Sequence, residues 1–330
     1  MSETFRALRY HGRADAPEPT LESLRIDQLS EGDTLIEVHF ASVNYKDALA
    51  GRGHNKIIRE LPRIGGIDLS GRVLTSADSS LRPGTEVVVH GFGVGVDHDG
   101  GYAQRARVPA SWVLPLPQGL GMREAAALGV AGYTAALSVH RLEQLGLRPQ
   151  NGPVVITGAS GGSGSIALDI LAGRGYEVSV VSGKAAMAGW FAGLGAREVL
   201  PREVFGADAR PMLGARWAGA IDTVGGDALS WLVRTMRQDG LVAAFGNAGG
   251  LHLNTSVLPF ILRGVHLMGI NANSPMPLRR EVWARMATDL RAPHLEQLIE
   301  EIGLADLPAA FDRLLASQVS GRLLVDLARD

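Results

Sequence analysis

The sequence predicts an α/β protein in which a doubly wound parallel sheet is inserted into a second, mostly antiparallel β domain. From residue 154 onward, short apolar runs alternate with helical segments, whereas residues 1–120 read as short strands and turns. A further apolar strand pattern returns at 321–327. Strands joined by helical crossovers form parallel sheets that bind ligands at their carboxyl ends. A lone terminal strand usually pairs with an existing sheet, so we assign 321–327 to the first domain.

The first domain is predicted from alternation and from turn residues. Thr34–Phe40 alternates apolar and polar side chains, and Glu86–Val89 follows the turn Arg82-Pro83-Gly84. We expect a barrel-like antiparallel sheet with partly covered edges. The alanine-rich helical run Met122–Val139 marks the change of domain. The predicted domains are therefore 1–124 with 272–330, and 125–271.

The second domain begins with a strand, a glycine-rich turn and a helix. Val154–Thr157 is β-branched, Gly158–Gly164 consists of small residues, and Ile166–Leu171 has helical spacing. Backbone N–H groups at a helix N-terminus bind a pyrophosphate when no side chain keeps it away, as Gly161 and Gly162 allow. Because Ala159 stands where the dinucleotide fingerprint usually has glycine, an ordinary glycine-rich turn is the alternative.

The second strand of this domain, Tyr176–Val181, ends in Ser182-Gly183-Lys184. NAD-binding domains usually end this strand with Asp or Glu for the ribose hydroxyls. A hydroxyl, an amide and an ammonium instead suit a 2′-phosphate, which indicates NADPH as the cofactor. The alternative for Lys184 is a solvated lysine at a helix start.

The rest of the chain alternates as a doubly wound sheet requires. Three later loops carry glycine or amide residues that either line a nucleotide cleft or serve only as turns. Predicted strands are 197–200, 219–223, 241–245 and 265–270; predicted helices are 185–194, 278–290 and 307–316; and the three loops are 222–226, 246–250 and 271–273.

Composition excludes several functional classes. The 330 residues carry a formal net charge of −2, which gives no general attraction for nucleic acid or an anionic membrane. The absence of cysteine removes disulfides, thiol nucleophiles and cysteine-bound metals. The N-terminus lacks an apolar signal region, and Ala125–Val139 is too short for a membrane span. We therefore expect a cytoplasmic protein without bound metal.

Several motifs resemble those of one enzyme family. The chain resembles the zinc-independent branch of the medium-chain dehydrogenase/reductase superfamily, and within it the acrylyl-CoA reductase (NADPH) type, long described as putative quinone oxidoreductases. The resemblance implies a Rossmann domain inserted into a GroES-like domain, with Asn44 and Ile67 standing where zinc-bearing relatives have ligands. The matching segments are 42–49, 56–59, 66–71, 91–95, 157–162, 218–225 and 259–263.

The same resemblance implies a set of NADPH contacts and a homodimer. The substrate would be a small enoyl-CoA or a quinone-like molecule. The implied cofactor-binding residues are Tyr45, Ser160, Gly161, Gly162, Ser163, Ser182, Gly183, Lys184, Arg202, Asn247, Ile261 and Ala272.

Catalytic candidates lie in the block Asn44-Tyr45-Lys46-Asp47. Asn44 could donate to a developing oxyanion, and Tyr45 could orient the nicotinamide or relay a proton. Lys46 and Asp47 could pair with each other. The alternative is a polar helix start with Asn44 as its N-cap. Asp68 and Arg322 are further candidates, since buried charges either act on substrates or hold loops.

Two charged clusters have open interpretations. Lys56, Arg59 and Arg63 either meet CoA phosphates or form a solvated surface. His90 and His98, with Asp97 and Asp99, either bind a metal or form a solvated turn.

Three functions fit the sequence. The first is NADPH-dependent reduction of the C=C bond of a short 2-enoyl-CoA, acrylyl-CoA to propanoyl-CoA. The second is an NADPH quinone or enone oxidoreductase, because both reactions require only hydride positioning and a hydrogen bond. The third is a non-catalytic NADPH-binding sensor.

Overall fold

The chain forms two compact units. The structure, a computed structural model, describes residues 4–206, 208 and 210–329. The first unit contains the described residues up to Val130, Pro275–Ala287, and those from Glu296 onward. The second contains Ala131–Ser274 and Thr288–Leu295. The domain boundaries predicted from the sequence remain a prediction. They differ most from these two units at Thr288–Leu295, which the prediction assigns to the first domain and which here belongs to the second unit.

The first unit contains two sheets. The strands are β1 (Thr4–Arg13), β2 (Ala16–Arg25), β3 (Thr34–Val43), β4 (Arg63–Ile64), β5 (Asp68–Ser76), β6 (Glu86–His90), β7 (Arg105–Val108), β8 (Leu114–Pro115), β15 (Ile299–Ile302) and β16 (Arg322–Asp326). A three-stranded antiparallel sheet has the order β2-β1-β4, and a larger sheet has the order β15-β16-β3-β5-β6-β8, with β7 beside β3.

Three α-helices accompany these sheets, and a fourth begins in this unit. They are α1 (Tyr45–Gly51), α7 (Met276–Met286), α8 (Leu307–Leu315) and the start of α2 (Met122–Gln144). The terminal strand β16 joins the sheet of the first unit, as predicted, and there it pairs with β3 in antiparallel fashion. The strand β15, parallel to β16, was not predicted from the sequence.

The second unit is a six-stranded parallel sheet with the order β11-β10-β9-β12-β13-β14. Its strands Val154–Thr157 and Val178–Val181 are fully buried, which explains why seven of their eight residues are β-branched. The strands are β9 (Val154–Thr157), β10 (Val178–Val181), β11 (Ala196–Leu200), β12 (Trp217–Asp222), β13 (Met236–Ala244) and β14 (His266–Gly269); the helices are α3 (Gly162–Gly173), α4 (Ala188–Gly193), α5 (Gly226–Thr235) and α6 (Leu258–Arg263).

The doubly wound prediction is therefore confirmed, with small differences at element ends. The predicted helix 185–194 is a short 3₁₀ turn, Ala185–Met187, followed by α4, and Gly195 ends it with a φ of 92°. The chain order reverses between β9 and β12, which is where open α/β sheets bind their ligands. Among the described residues, no helix is long and apolar enough to cross a membrane.

Candidate active site and nucleotide site

The catalytic candidates of the first unit meet where three neighbouring inner strands of its larger sheet begin or end. Strands β5 and β16 each run antiparallel to β3. The end of β3 therefore lies beside the starts of both neighbours. This topology brings together Ser42 near the end of β3, Asp68 at the start of β5 and Arg322 at the start of β16.

The Asp68 carboxylate is buried and surrounded by donors. It accepts hydrogen bonds from the Ser42 amide at 3.0 Å, the Ser42 hydroxyl at 2.7 and 2.8 Å, and the Asn44 side-chain amide at 2.9 Å. The Val130 amide donates a further bond of 2.9 Å. A buried charge is tolerated only when its oxygens are satisfied in this way.

Arg322 is the buried cation next to this carboxylate. Its guanidinium donates to the Ser42 hydroxyl at 2.6 Å and to the Ala127 carbonyl at 2.7 Å. The Ser42 hydroxyl in turn donates to Asp68, so it bridges the two charges. Burial lowers the pKa of Arg322, while Asp68 and Asp47 oppose that shift. Ser42 was not predicted as a site residue.

A break in helix α2 completes the network. Gly129 has a φ of 51° within the helix, and this frees the following Val130 amide to donate to Asp68. A Cβ atom at residue 129 would lie 2.5 Å from Asp68 Oδ2 and 2.7 Å from Ser42 Oγ. Only glycine combines this backbone angle with so close an approach.

Asp47 is a buried residue in the first turn of helix α1. Its carboxylate accepts from the Asn44 backbone amide at 2.9 Å, the Asn44 side chain at 3.1 Å and the Ile67 amide at 2.9 Å. Burial and the nearby Asp68 charge raise the pKa of Asp47 to about 7. The predicted pair with Lys46 is wrong, because the Lys46 side chain is exposed while Asp47 faces inward.

Replacing Asp47 by asparagine is expected to remove a pH dependence of stability. A carboxyl group with a raised folded-state pKa stabilises the fold below its unfolded value of 3.8. That contribution is lost as the pH rises towards 7, at up to about 1.4 kcal/mol per pH unit. Urea unfolding at several pH values should therefore show the wild type losing stability relative to Asp47→Asn across this window.

The control for that experiment is Asp312→Asn. The Arg52 guanidinium lowers the pKa of the exposed Asp312, so its titration falls below this pH window. The difference between Asp312→Asn and wild type should stay constant between pH 5 and pH 7. Parallel stability curves for wild type and Asp47→Asn would contradict the prediction.

The block therefore combines both roles that the sequence suggested. Asn44 is the N-cap of helix α1, and its side-chain amide donates to Asp47 and Asp68. Donating to an oxyanion would require Asn44 to exchange one of these bonds. Tyr45 and Lys46 are the exposed members of the block, and Tyr45, with 41% of its surface exposed, is the one that carries a hydroxyl. Its hydroxyl is the better candidate for contact with a substrate.

In the second unit, the turn after β9 has the geometry of a phosphate site. Helix α3 begins at Gly162, where its first N–H groups lack intrahelical partners. A Cβ on Gly161 would meet only the Gly158 carbonyl oxygen, at 3.4 Å, so this side of the turn is open. A Cβ on Gly164 would lie 2.5 Å from that oxygen, so the helix packs directly on the turn. Ser160 and Ser163 lie on the same short segment.

The neighbouring strand ends are fastened together by a buried carboxylate. Thr157 at the end of β9 donates to Asp222 at the end of β12, with a distance of 2.6 Å. Asp222 also accepts from the Gly225 amide at 2.8 Å, and Thr223 donates to the Thr157 carbonyl at 2.9 Å. Burial raises the pKa of Asp222. These bonds hold the two loops at the switch point of the sheet.

The end of β10 forms a basic corner, which we define as Ser182, Gly183, Lys184 and Arg202. The Lys184 amide donates to the Ser182 hydroxyl at 3.1 Å. A Cβ on Gly183 would lie 2.7 Å from Arg202 Cδ, so the Arg202 side chain lies directly against this glycine. Partial burial lowers the pKa of Lys184. The structure thus brings together four of the predicted cofactor residues.

The remaining predicted cofactor residues lie on other loops and helices. Asn247 is exposed on the loop after β13, where a Cβ on Gly225 would lie 3.2 Å from its Cα. Ile261 is 68% exposed on α6, and Ala272 lies on the loop after β14. Their contact with a cofactor stays a prediction.

Residues of both charged clusters singled out in the sequence form hydrogen bonds within the fold. Arg63 donates to the Ser30 hydroxyl at 3.0 Å, which removes it from the predicted phosphate-binding group. Asp99 accepts from Ser30 and from Ile64, and His90 contacts Arg279 and Trp283. In the described part of the chain, no group of three or more acidic or histidine side chains could hold a metal ion.

The chain is similar over nearly its whole length to proteins named as oxidoreductases. Residues 30–118 match the family described as "Alcohol dehydrogenase GroES-like domain". The probable acrylyl-CoA reductase AcuI of Escherichia coli is 46% identical, over 93% of this chain and 94% of its own. The putative quinone oxidoreductase YhfP of Bacillus subtilis is 41% identical, over 99% of this chain and 100% of its own.

Solved structures agree with this grouping. The YhdH oxidoreductase of Salmonella enterica in complex with NADP has a TM-score of 0.95 and 46% identity, covering 98% of this chain and 99% of its own. The B. subtilis YhfP structure with NAD bound also has a TM-score of 0.95, with 41% identity over 99% of this chain and 100% of its own. The chain therefore belongs to the zinc-independent branch of the medium-chain dehydrogenase/reductase superfamily.

Proposed function

We propose that this protein is an NADPH-dependent reductase of the C=C bond of a short 2-enoyl thioester, converting acrylyl-CoA to propanoyl-CoA. The observation that carries the proposal is the basic corner, in which Lys184 and Arg202 stand where an NAD enzyme would place an acid. The 46% identity to a probable acrylyl-CoA reductase supports the choice of substrate.

The chain has residues that fit such a cofactor. The open glycine turn at Ser160, Gly161, Gly162 and Ser163 would hold the pyrophosphate on the N-terminus of α3. The basic corner would hold the 2′-phosphate through charge-assisted hydrogen bonds. The remaining contacts of the proposal are Tyr45, Asn247, Ile261 and Ala272.

When bound, NADPH supplies the hydride that reduces the β-carbon of the thioester. The first unit would stabilise the negative charge that develops on the thioester oxygen and deliver a proton to the α-carbon. Tyr45 is our candidate for contact with the substrate, because its side chain is accessible. Asn44 and Asp47 fix the helix start that carries Tyr45. Asp68 and Arg322 are positioning residues that hold Asn44 and Ser42.

The experiment that tests this proposal compares substrates and cofactors in one assay. We expect NADPH oxidation to be fast with acrylyl-CoA and slow with benzoquinone, and NADH to be the weaker cofactor. A preference for benzoquinone would instead favour the second candidate, a quinone or enone oxidoreductase, which the name of the 41% identical relative supports. Tight NADPH binding without turnover of any enone, quinone or thioester would indicate a sensor.

Lys184→Gln is expected to weaken NADPH binding selectively. Loss of one charge-assisted hydrogen bond to a phosphate costs about 2 kcal/mol, which corresponds to roughly thirtyfold in Kd. Binding of NADH, which lacks the 2′-phosphate, should change by less than about threefold on the same free-energy scale. Fluorescence titration of wild type and variant with both coenzymes measures the effect. Equal losses for the two coenzymes would refute the assignment of the basic corner.

We also propose a cytoplasmic homodimer. Large apolar side chains are exposed within a short part of the second unit, including Leu251, Val257 and Leu262 at 61–81% exposure. Grouped exposed apolar residues commonly mark an interface between subunits. Light scattering on the purified protein should give twice the chain mass, and a monomer at all concentrations would refute the dimer.

A further inference from the structure

The chain uses lysine at only three positions. Of its 32 basic residues, 29 are arginines, and the lysines are Lys46, Lys56 and Lys184. Lys184 belongs to the basic corner, and Lys46 lies in the candidate catalytic block. A compact ammonium differs from a guanidinium in hydration and in hydrogen-bond geometry. Lys56 is the one lysine of the three that has no place in either of these proposed sites.

Lys56 lies in an exposed loop, which we call the basic loop and define as residues 53–60. Its basic side chains, His54, Lys56 and Arg59, are all exposed. Two successive residues have left-handed backbone angles, with φ of 59° at Asn55 and 48° at Lys56. Non-glycine residues adopt such angles only rarely, and they cluster at ligand-binding segments.

The two longer cations of this loop are not held by a carboxylate. Lys56 and Arg59 form no ion pair with any described residue. Lys56 contributes to the field at Asp15, but that carboxylate is already paired with Arg13. Other arginines of the same unit form ion pairs, with a guanidinium nitrogen 3.2 Å or less from a carboxylate oxygen. These pairs are Arg25–Asp27, Arg52–Asp312, Arg72–Glu86, Arg105–Glu37, Arg123–Glu296 and Arg313–Glu300.

The basic loop is fixed to the candidate active site by helix α1. The helix carries Tyr45 at its first residue and ends at Gly51, and only Arg52 separates it from the loop. Seven residues at about 1.5 Å each span about 10 Å. A substrate whose reacting end contacts Tyr45 and whose other end is anionic would thus have free cations one short helix away.

We propose that the basic loop binds the phosphate groups of the nucleotide part of a CoA thioester, with Lys56 and Arg59 as the main ligands. This inference rests on the proposed function. It adds to it the residues that recognise CoA, the carrier of the acyl group. Arginine pairs with phosphate through two parallel N–H groups, and lysine provides a compact charge. The bound phosphates would be anchored away from the reacting carbons, so binding energy from the carrier would position the thioester.

The test compares two thioesters that differ only in the nucleotide. The kcat/KM of wild type is measured with acrylyl-CoA and with acrylyl-pantetheine, which lacks the phosphorylated nucleotide. In Lys56→Gln/Arg59→Gln, we expect the preference for the CoA ester to fall at least tenfold. The charge-conserving variant Lys56→Arg/Arg59→Lys should recover most of the preference. Arg82→Gln, an exposed arginine on the turn after β5, should behave as wild type.

The outcomes separate the two proposals. If the wild type prefers acrylyl-CoA and the double glutamine variant keeps that preference, the loop does not bind the nucleotide. If the double variant loses activity equally with both thioesters, the loop acts on local structure and the inference is wrong. If the wild type reduces neither thioester but does reduce benzoquinone, it is the proposed function that fails. Competition by adenosine 3′,5′-bisphosphate, lost in the double variant, would support the phosphate contact independently of turnover.

Discussion

Arg322→Met is expected to lower the free energy of unfolding by about 3–5 kcal/mol, because it leaves the buried Asp68 carboxylate without its cation. Arg322 is 3% exposed and its guanidinium reaches Asp68 through the Ser42 hydroxyl. Methionine preserves much of the side-chain volume but returns none of the charge. Urea unfolding at pH 7, followed by tryptophan fluorescence and far-ultraviolet circular dichroism, measures the loss.

Two further variants make that result specific. Arg313→Met removes an exposed pair with Glu300, whose side chains are 40% and 45% exposed. Such surface pairs contribute about 0–1 kcal/mol, so this control should be nearly neutral. Adding Asp68→Asn to Arg322→Met removes the unpaired charge and should recover part of the lost stability. A loss below about 1 kcal/mol in Arg322→Met would contradict the role given to the pair.

Gly164→Ala is expected to weaken NADPH binding at least a hundredfold, or about 2.7 kcal/mol. The new Cβ would lie 2.5 Å from the Gly158 carbonyl oxygen and 2.8 Å from Ala159 Cα. Both are backbone atoms that cannot rotate away, so the start of α3 must move from the turn. The N–H groups proposed to bind the pyrophosphate would move with it. Fluorescence titration with NADPH, on protein shown to be folded by circular dichroism, measures the change.

Gly193→Ala is the matched control for this substitution. Gly193 also lies in a helix of the second unit, but a Cβ there would meet nothing within 4 Å. The alanine is therefore accommodated, and NADPH affinity should be unchanged. Wild-type affinity in Gly164→Ala would show that the turn does not form the pyrophosphate site.

The local structure of the proposed nucleotide site was more predictable from sequence than the charged network. The strand, turn and helix at 154–171 are local in sequence, and two of the turn glycines, Gly158 and Gly164, leave no room for a Cβ atom. Asp68, by contrast, is held by Ser42 and Val130, which are 26 and 62 residues away. No local pattern indicates that a helix must break at Gly129 to supply a donor. Asp68 and Arg322 could be named, but not the residues that connect them.

Strand β15 illustrates a second limit. Ile299–Ile302 has two consecutive glutamates between its isoleucines, so neither alternation nor an apolar run marks it as a strand. It is ordered by pairing with β16, a partner that tertiary structure alone provides. The terminal strand β16 itself was predictable, because its apolar run is continuous and a single strand requires a sheet to join.

The scarcity of lysine has a practical consequence for chemical footprinting. Reagents that acylate side-chain amines have three targets in this chain, and each belongs to a different part of the proposed machinery. After brief acetylation, mass spectrometry of a single digest would thus give the extent of modification of each lysine separately. Protection of Lys184 would follow the coenzyme, and protection of Lys56 would follow the thioester carrier.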